Sequence, residues 1–117
     1  MTYVDGFVSA VPTADRETYR AYCQKMAAVF RDHGALSVVD CWGDDVPQGQ
    51  LTSFPLAVKC GKDETVAFGW TTWASREARD AAWPKVMADP RMKLETNPMP
   101  FDGKRMIYGG FEVLSQA

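Results

Sequence analysis

One histidine and three cysteines are all the imidazoles and thiols that 117 residues supply. Cys23, Cys41 and Cys60 are odd in number and widely spaced, which does not suit a disulfide framework. They read as reduced thiols, each a small buried hydrophobe, in a cytoplasmic protein. No second His or Cys stands at metal-ligand spacing from His33, so neither a metal site nor a cofactor is expected. Any Ser-His-Asp or Cys-His assembly would have to use that same histidine. Long apolar runs are missing too, and a membrane-spanning helix needs about 20 such residues. The segment Met1-Thr2-Tyr3-Val4-Asp5-Gly6 has no basic stretch followed by a long apolar one, so no secretory signal is expected. Nor is there an excess of positive charge. The 13 Lys and Arg stand against 15 Asp and Glu, a formal net charge of -2, which attracts no polyanion over long range. Basic residues gather only in short clusters such as Lys104-Arg105, so no nucleic-acid partner is expected.

What is present is the composition of a folded domain. Hydrophobic residues make up 46% and charged residues 24%, close to the globular average, and the length suits one domain over 1–117. Residues 3–11 alternate and predict a first strand ended by Pro12. Thr13 is a candidate N-cap with Asp15 and Glu17 in the first helical turn. Tyr19, Tyr22, Cys23, Met26 and Phe30 recur at helical spacing to about His33, and Gly34 suits the position after the cap. Residues 36–43 predict a second strand and 43–49 a loop. Residues 52–60 fit either a short helix with Pro55 in its first turn or an extended segment. Residues 65–73 predict a third strand. Ser75 caps a further helix that Trp83-Pro84 should kink or divide, and Asp89-Pro90 ends it. After an irregular 94–104, residues 105–114 predict the last strand. The order is βαββαβ. That is the α+β, ferredoxin-like arrangement, an antiparallel sheet with two helices on one face.

Side chains alternate along each strand. One expected set is small: Val4, Gly6, Val8 and Ala10; Ser37, Val39 and Cys41; Ala67, Gly69 and Thr71; Ile107, Gly109, Phe111 and Val113. It suits contact with helices. The opposite set holds Tyr3, Asp5, Phe7 and Ser9; Val38, Asp40 and Trp42; Val66, Phe68, Trp70 and Thr72; Met106, Tyr108 and Glu112. Six half-exposed aromatics would show about 450–750 Å², more than a monomer usually leaves bare. A second copy, a ligand, stacked bases or the 44–60 insert must cover that face. Pairing with a second copy needs no further component, so a homodimer is expected.

A resemblance adds to this reading. It is carried by Tyr3-Val4-Asp5-Gly6-Phe7, by Trp42-Gly43-Asp44-Asp45-Val46-Pro47 and by Met87-Ala88-Asp89-Pro90-Arg91-Met92-Lys93. It is carried also by the block Met99 to Phe111, MPFDGKRMIYGGF. The chain resembles the YbaA-like family of small bacterial proteins of unknown function over almost its whole length. The resemblance implies a ferredoxin-like fold that dimerises into an α/β barrel. It brings no catalytic residues. Proteins of that broader group include cofactor-free monooxygenases, lactone isomerases, haem-degrading enzymes and stress proteins, and fold does not fix which applies.

Asp5 and Asp40 are the candidate catalytic residues, because a carboxyl group in an apolar pocket has its pKa raised toward neutrality. Trp42, Phe68, Trp70, Tyr108 and Arg105 are the candidate ligand-binding residues. The competing assignment for the acids is an ion pair with Arg105 or backbone donors. Cys23 is placed on the inner face of its helix and Cys41 on the helix side of the sheet. His33 sits in a last helical turn, where a cation complements the dipole. Asp102-Gly103-Lys104-Arg105 reads as a polar turn or an anion site. RNA-recognition motifs share the βαββαβ order, and Val66-Ala67-Phe68-Gly69-Trp70 is faintly like their aromatic motif. It lacks the leading basic residue. The expected function is a homodimeric barrel that binds a small apolar or aromatic molecule. The alternatives are a cofactor-independent monooxygenase- or isomerase-like enzyme with a buried carboxylate, and a structural or stress-related dimer without ligand.

Overall fold

The computed structural model describes residues 2–117; Met1, part of the segment read for a secretory signal, lies outside them. Four strands, β1 (Tyr3–Pro12), β2 (Ser37–Trp42), β3 (Glu64–Trp73) and β4 (Ile107–Glu112), form one antiparallel sheet in the order β2-β3-β1-β4. Three helices, α1 (Arg16–Asp32), α2 (Phe54–Ala57) and α3 (Arg76–Ala88), lie between them. Among the described residues no helix is long and apolar enough to cross a membrane.

The helix ends follow from local chemistry, with one exception. Gly34 has φ +111 and follows the His33 cap of α1, a conformation that favours glycine. Ser53 and Ser75 each accept a backbone N–H three residues on and so start α2 and α3. Pro55 sits in the first turn of α2, which makes 54–57 the helical alternative. Thr13 does not cap α1. It belongs to a 3-10 turn, Thr13–Asp15, and its hydroxyl bonds that of Thr65 at 2.7 Å.

Trp83-Pro84 does not divide α3, which runs through Pro84 to Ala88. Proline removes the hydrogen bond to the Asp80 carbonyl, and Asp80 is exposed, where solvent can offset that loss. Trp83 is held in helical conformation by tertiary contacts. Its ring meets Phe30 edge-on at 5.3 Å, and its indole N–H is bonded.

The register sets the two faces and overturns much of the expected division. Tyr3, Asp5, Phe7, Ser9 and Val11 stand opposite Trp73, Thr71, Gly69, Ala67 and Thr65; Val38, Asp40 and Trp42 stand opposite Thr71, Gly69 and Ala67. This set faces α1 and α3, as the contacts of Trp73 with Phe30 and of Asp5 with Arg79 and Trp83 establish. Its large side chains fit because small ones stand opposite. A Cβ at Gly69 would strike the Phe7 ring and the Val39 carbonyl oxygen, and one at Gly110 would strike Tyr3.

The open face therefore carries Val4, Val8, Ala10, Val39, Cys41, Val66, Phe68, Trp70, Ile107 and Phe111. Only β3 points as expected; β1, β2 and β4 are reversed. Of the six aromatics assigned to the open face, Phe68 and Trp70 are there. Tyr3, Phe7 and Trp42 are not, and Tyr108 is on their side, at the β4 edge.

The segment after α2 covers one end of that face, where Val58 is buried with Val8, Ala10 and Val66. Elsewhere on it Phe68, Ile107 and Phe111 are 41%, 45% and 62% exposed, while Val4, Val39 and Trp70 are half-buried.

Candidate functional site

A groove runs between α1 and the edge strand β2, with a volume of about 370 Å³. Arg16, Tyr19, Arg20 and Cys23 project from α1 on one stripe, because steps of three and four residues return to the same helix face. Asp40 and Trp42 close the other side, with Cys41 at the lip. Tyr19 is buried, tilted against Trp42 at 6.1 Å and edge-on to Phe101 at 5.7 Å. The Arg16 guanidinium lies 5.9 Å from the Trp42 ring centre, within cation–π range.

Burial shifts the groove's titratable groups. Desolvation against the groove wall raises the Asp40 carboxyl pKa, although the residue keeps an exposed surface, and the neighbouring Cys23 thiol offsets part of the rise. It pushes the Cys23 thiol up to about 12, with help from the Asp40 charge, so Cys23 is a neutral thiol and no nucleophile. Burial and the neighbouring Cys23 raise Tyr19 as well. The groove thus holds a hydroxyl and a thiol that keep their protons, beside a carboxylate that binds one more readily than usual.

The candidate site residues do not form one site. Asp40 and Trp42 meet in this groove. Phe68 and Trp70 lie on the open face, their ring centres 5.6 Å apart, with Phe54 of α2 edge-on to Phe68 at 5.8 Å. A second hollow, also of about 370 Å³, lies between Phe54, Val66, Phe68 and the loop 43–46. Tyr108 is 79% exposed on the edge strand β4.

Asp5 and Asp40 do share a sheet face, but it is the helix-covered one. Asp5 accepts the indole N–H of Trp73 at 2.9 Å and of Trp83 at 3.1 Å. It also takes Nε and Nη2 of Arg79, the latter at 2.7 Å. With its lone pairs filled by donors, it anchors α3 to the sheet. Its cation is Arg79, not Arg105.

Arg105 forms a two-pronged pair with Glu64 at 2.7 Å on both oxygens, and it also donates to the Lys59 carbonyl and to Asp102. It ties the approach to β4 onto the start of β3. The Arg105 guanidinium and the Gly61 N–H hold the Glu64 carboxyl down at about 2. His33 Nε2 lies 3.0 Å from Asp89, which also binds Arg91. Cys23 is on the inner face of α1, whereas Cys41 is exposed on the open face of the sheet.

Arg16, Tyr19 and Arg79 were not among the sequence candidates. Tyr19 and Cys23 stood in the helical stripe and passed as core. The signal for Arg79 was indirect: buried Trp73 and Trp83 need an acceptor, and Asp5 filling that need would require a cation.

Residues 2–103 match the family model described as a protein of unknown function, DUF1428. The uncharacterized protein YbaA of Escherichia coli strain K12 is 54% identical over 112 residues, 96% of each chain. YbaA of Shigella flexneri is similar to the same extent. The resemblance to YbaA-like proteins therefore holds. Among solved structures, Rv0793 from Mycobacterium tuberculosis matches with a TM-score of 0.58 at 16% identity, over 100% of this chain and 99% of that one. At that identity the likeness concerns the fold alone.

Proposed function

The chain belongs to the DUF1428 family of proteins of unknown function, and we propose that it works as a homodimer that binds a small apolar or aromatic molecule. Two ferredoxin-like βαββαβ units pair through the open faces of their sheets and make a dimeric α/β barrel. The strip of half-buried Val39 and Trp70 and exposed Ile107 and Phe111 supports that pairing, since it is apolar and carries no charge that a second copy would have to bury. The free thiols suit a reducing cytoplasm.

The observation that carries the binding role is the α1–β2 groove. It offers the Trp42 ring, backed by buried Tyr19, with Arg16, Arg20 and Asp40 around it, so one aromatic surface stands beside polar groups that could orient a bound molecule. The raised Asp40 pKa favours one extension of the role, in which Asp40 takes a proton from the bound molecule and the protein is a cofactor-independent isomerase- or monooxygenase-like enzyme.

Native mass spectrometry of freshly purified protein tests both halves. A two-chain mass that sheds a small molecule on activation supports the proposal. A two-chain mass that never carries or takes up a small molecule reduces the protein to a structural dimer. A one-chain mass removes the barrel.

A further inference from the structure

The α1–β2 groove contains a cation and a carboxylate that do not pair with each other. Arg16 on α1 has no carboxylate within ion-pair distance among the described residues, and neither does Asp40 on β2 have a cation. Arg20, one turn on, makes only an exposed contact of 3.5 Å with Glu17, a pair that contributes little. Arg16, Arg20 and Asp40 are exposed, and they stand around an aromatic-lined groove without pairing across it.

Three features define what fits between them. The Arg16 guanidinium lies over the Trp42 ring, 5.9 Å from its centre, so a cation and an aromatic surface stand side by side, which suits a ligand with an acidic group next to a ring. The volume of about 370 Å³ is near the lower end of the roughly 300–1,000 Å³ usual for ligand pockets, enough for one ring and its substituents. Asp40 on the far wall accepts a hydrogen bond, so the end of the ligand that reaches it must donate one.

Resting on the reading of this groove as the binding site, we infer that its ligand is a one-ring aromatic acid. The carboxylate lies against Arg16, with Arg20 in support. A hydroxyl, enol or similar donor on the opposite side of the ring faces Asp40.

Titrations followed by amide chemical shifts, with 4-hydroxybenzoate, 4-hydroxybenzamide and tyramine as probes, test this on the wild-type protein and on Arg16→Gln. The three probes share a ring and a phenol but differ in the charge of the other end. 4-Hydroxybenzoate is expected to bind most tightly and to shift Tyr19, Cys23 and Trp42. Arg16→Gln should weaken it by about tenfold, the worth of one charge-assisted hydrogen bond, and erase its advantage over the amide. An equal or tighter fit for the amide or for tyramine, with shifts in the same residues, would overturn the aromatic acid while leaving the groove as a site. Shifts confined to other residues, or none with any probe, would overturn both.

Discussion

Arg79 Nη2 on α3 meets Asp5 Oδ1 on β1 at 2.7 Å, and this pair turns β1 toward the helices. The side chains are 23% and 13% exposed, and two tryptophans contribute their N–H groups to the same carboxylate. Removing one partner leaves the other charge poorly compensated. Asp5→Ala or Arg79→Ala should therefore destabilise the fold by about 3 kcal/mol. Urea unfolding followed by tryptophan fluorescence measures it. A loss no greater than that of an exposed ion pair would mean the cluster does not hold α3.

The Glu64–Arg105 clamp gives a pH signature. The folded Glu64 pKa lies at about 2, below its ordinary 4.5. A depressed carboxylate stabilises the fold above its unfolded pKa, and that contribution is lost as pH falls through the folded value. Wild type should therefore lose stability between pH 4.5 and about 2. Glu64→Gln should be less stable at neutral pH and show a flatter profile in that window. Denaturation midpoints at successive pH steps, taken as the difference between the two proteins, isolate Glu64 from the other acids. Parallel curves would refute the clamp.

Gly69 is the packing counterpart of Phe7. A Cβ there would lie 2.7 Å from the Val39 carbonyl oxygen, a backbone atom that cannot step aside. Gly69→Ala should cost roughly 1–3 kcal/mol, although alanine is usually harmless in a strand. A thermal midpoint equal to wild type would show that the β2–β3 pair yields more than its geometry implies.

Thiol reactivity reads the groove. Cys23, with its pKa pushed up to about 12 by burial and the Asp40 charge, should be alkylated far more slowly in the native protein than in urea. Asp40→Asn removes the charge but not the burial, so it should speed the native reaction only in part. Mass mapping of the modified cysteines follows both, and an unchanged Cys23 rate in Asp40→Asn would separate the two side chains.

The strands and long helices were legible because their signals are local: alternation, the Tyr19-to-Phe30 stripe, Ser75 and Gly34. The faces were not. Alternation says that Asp5 and Gly6 point oppositely, but not which one meets the helices, and sorting by aromatic content gave the wrong answer for three strands. The deciding contacts are long-range, such as Asp5 with Arg79 and Phe7 over Gly69. Trp83-Pro84 failed as a breaker for the same reason, since Phe30 and Asp5 hold Trp83 in place. Asp40 and Trp42 were found from their residue types. Arg16 was missed because nothing in the sequence brings α1 beside β2.

Closure of the open sheet face by a second copy of the chain is the proposal on which the barrel depends. Light scattering at micromolar concentration measures it directly on wild type and on Phe111→Glu, which places a charge on that face without touching the α1–β2 groove. A dimer gives twice 13.0 kDa for wild type and a shift toward the single-chain mass for the variant. A wild-type mass of 13.0 kDa would contradict it.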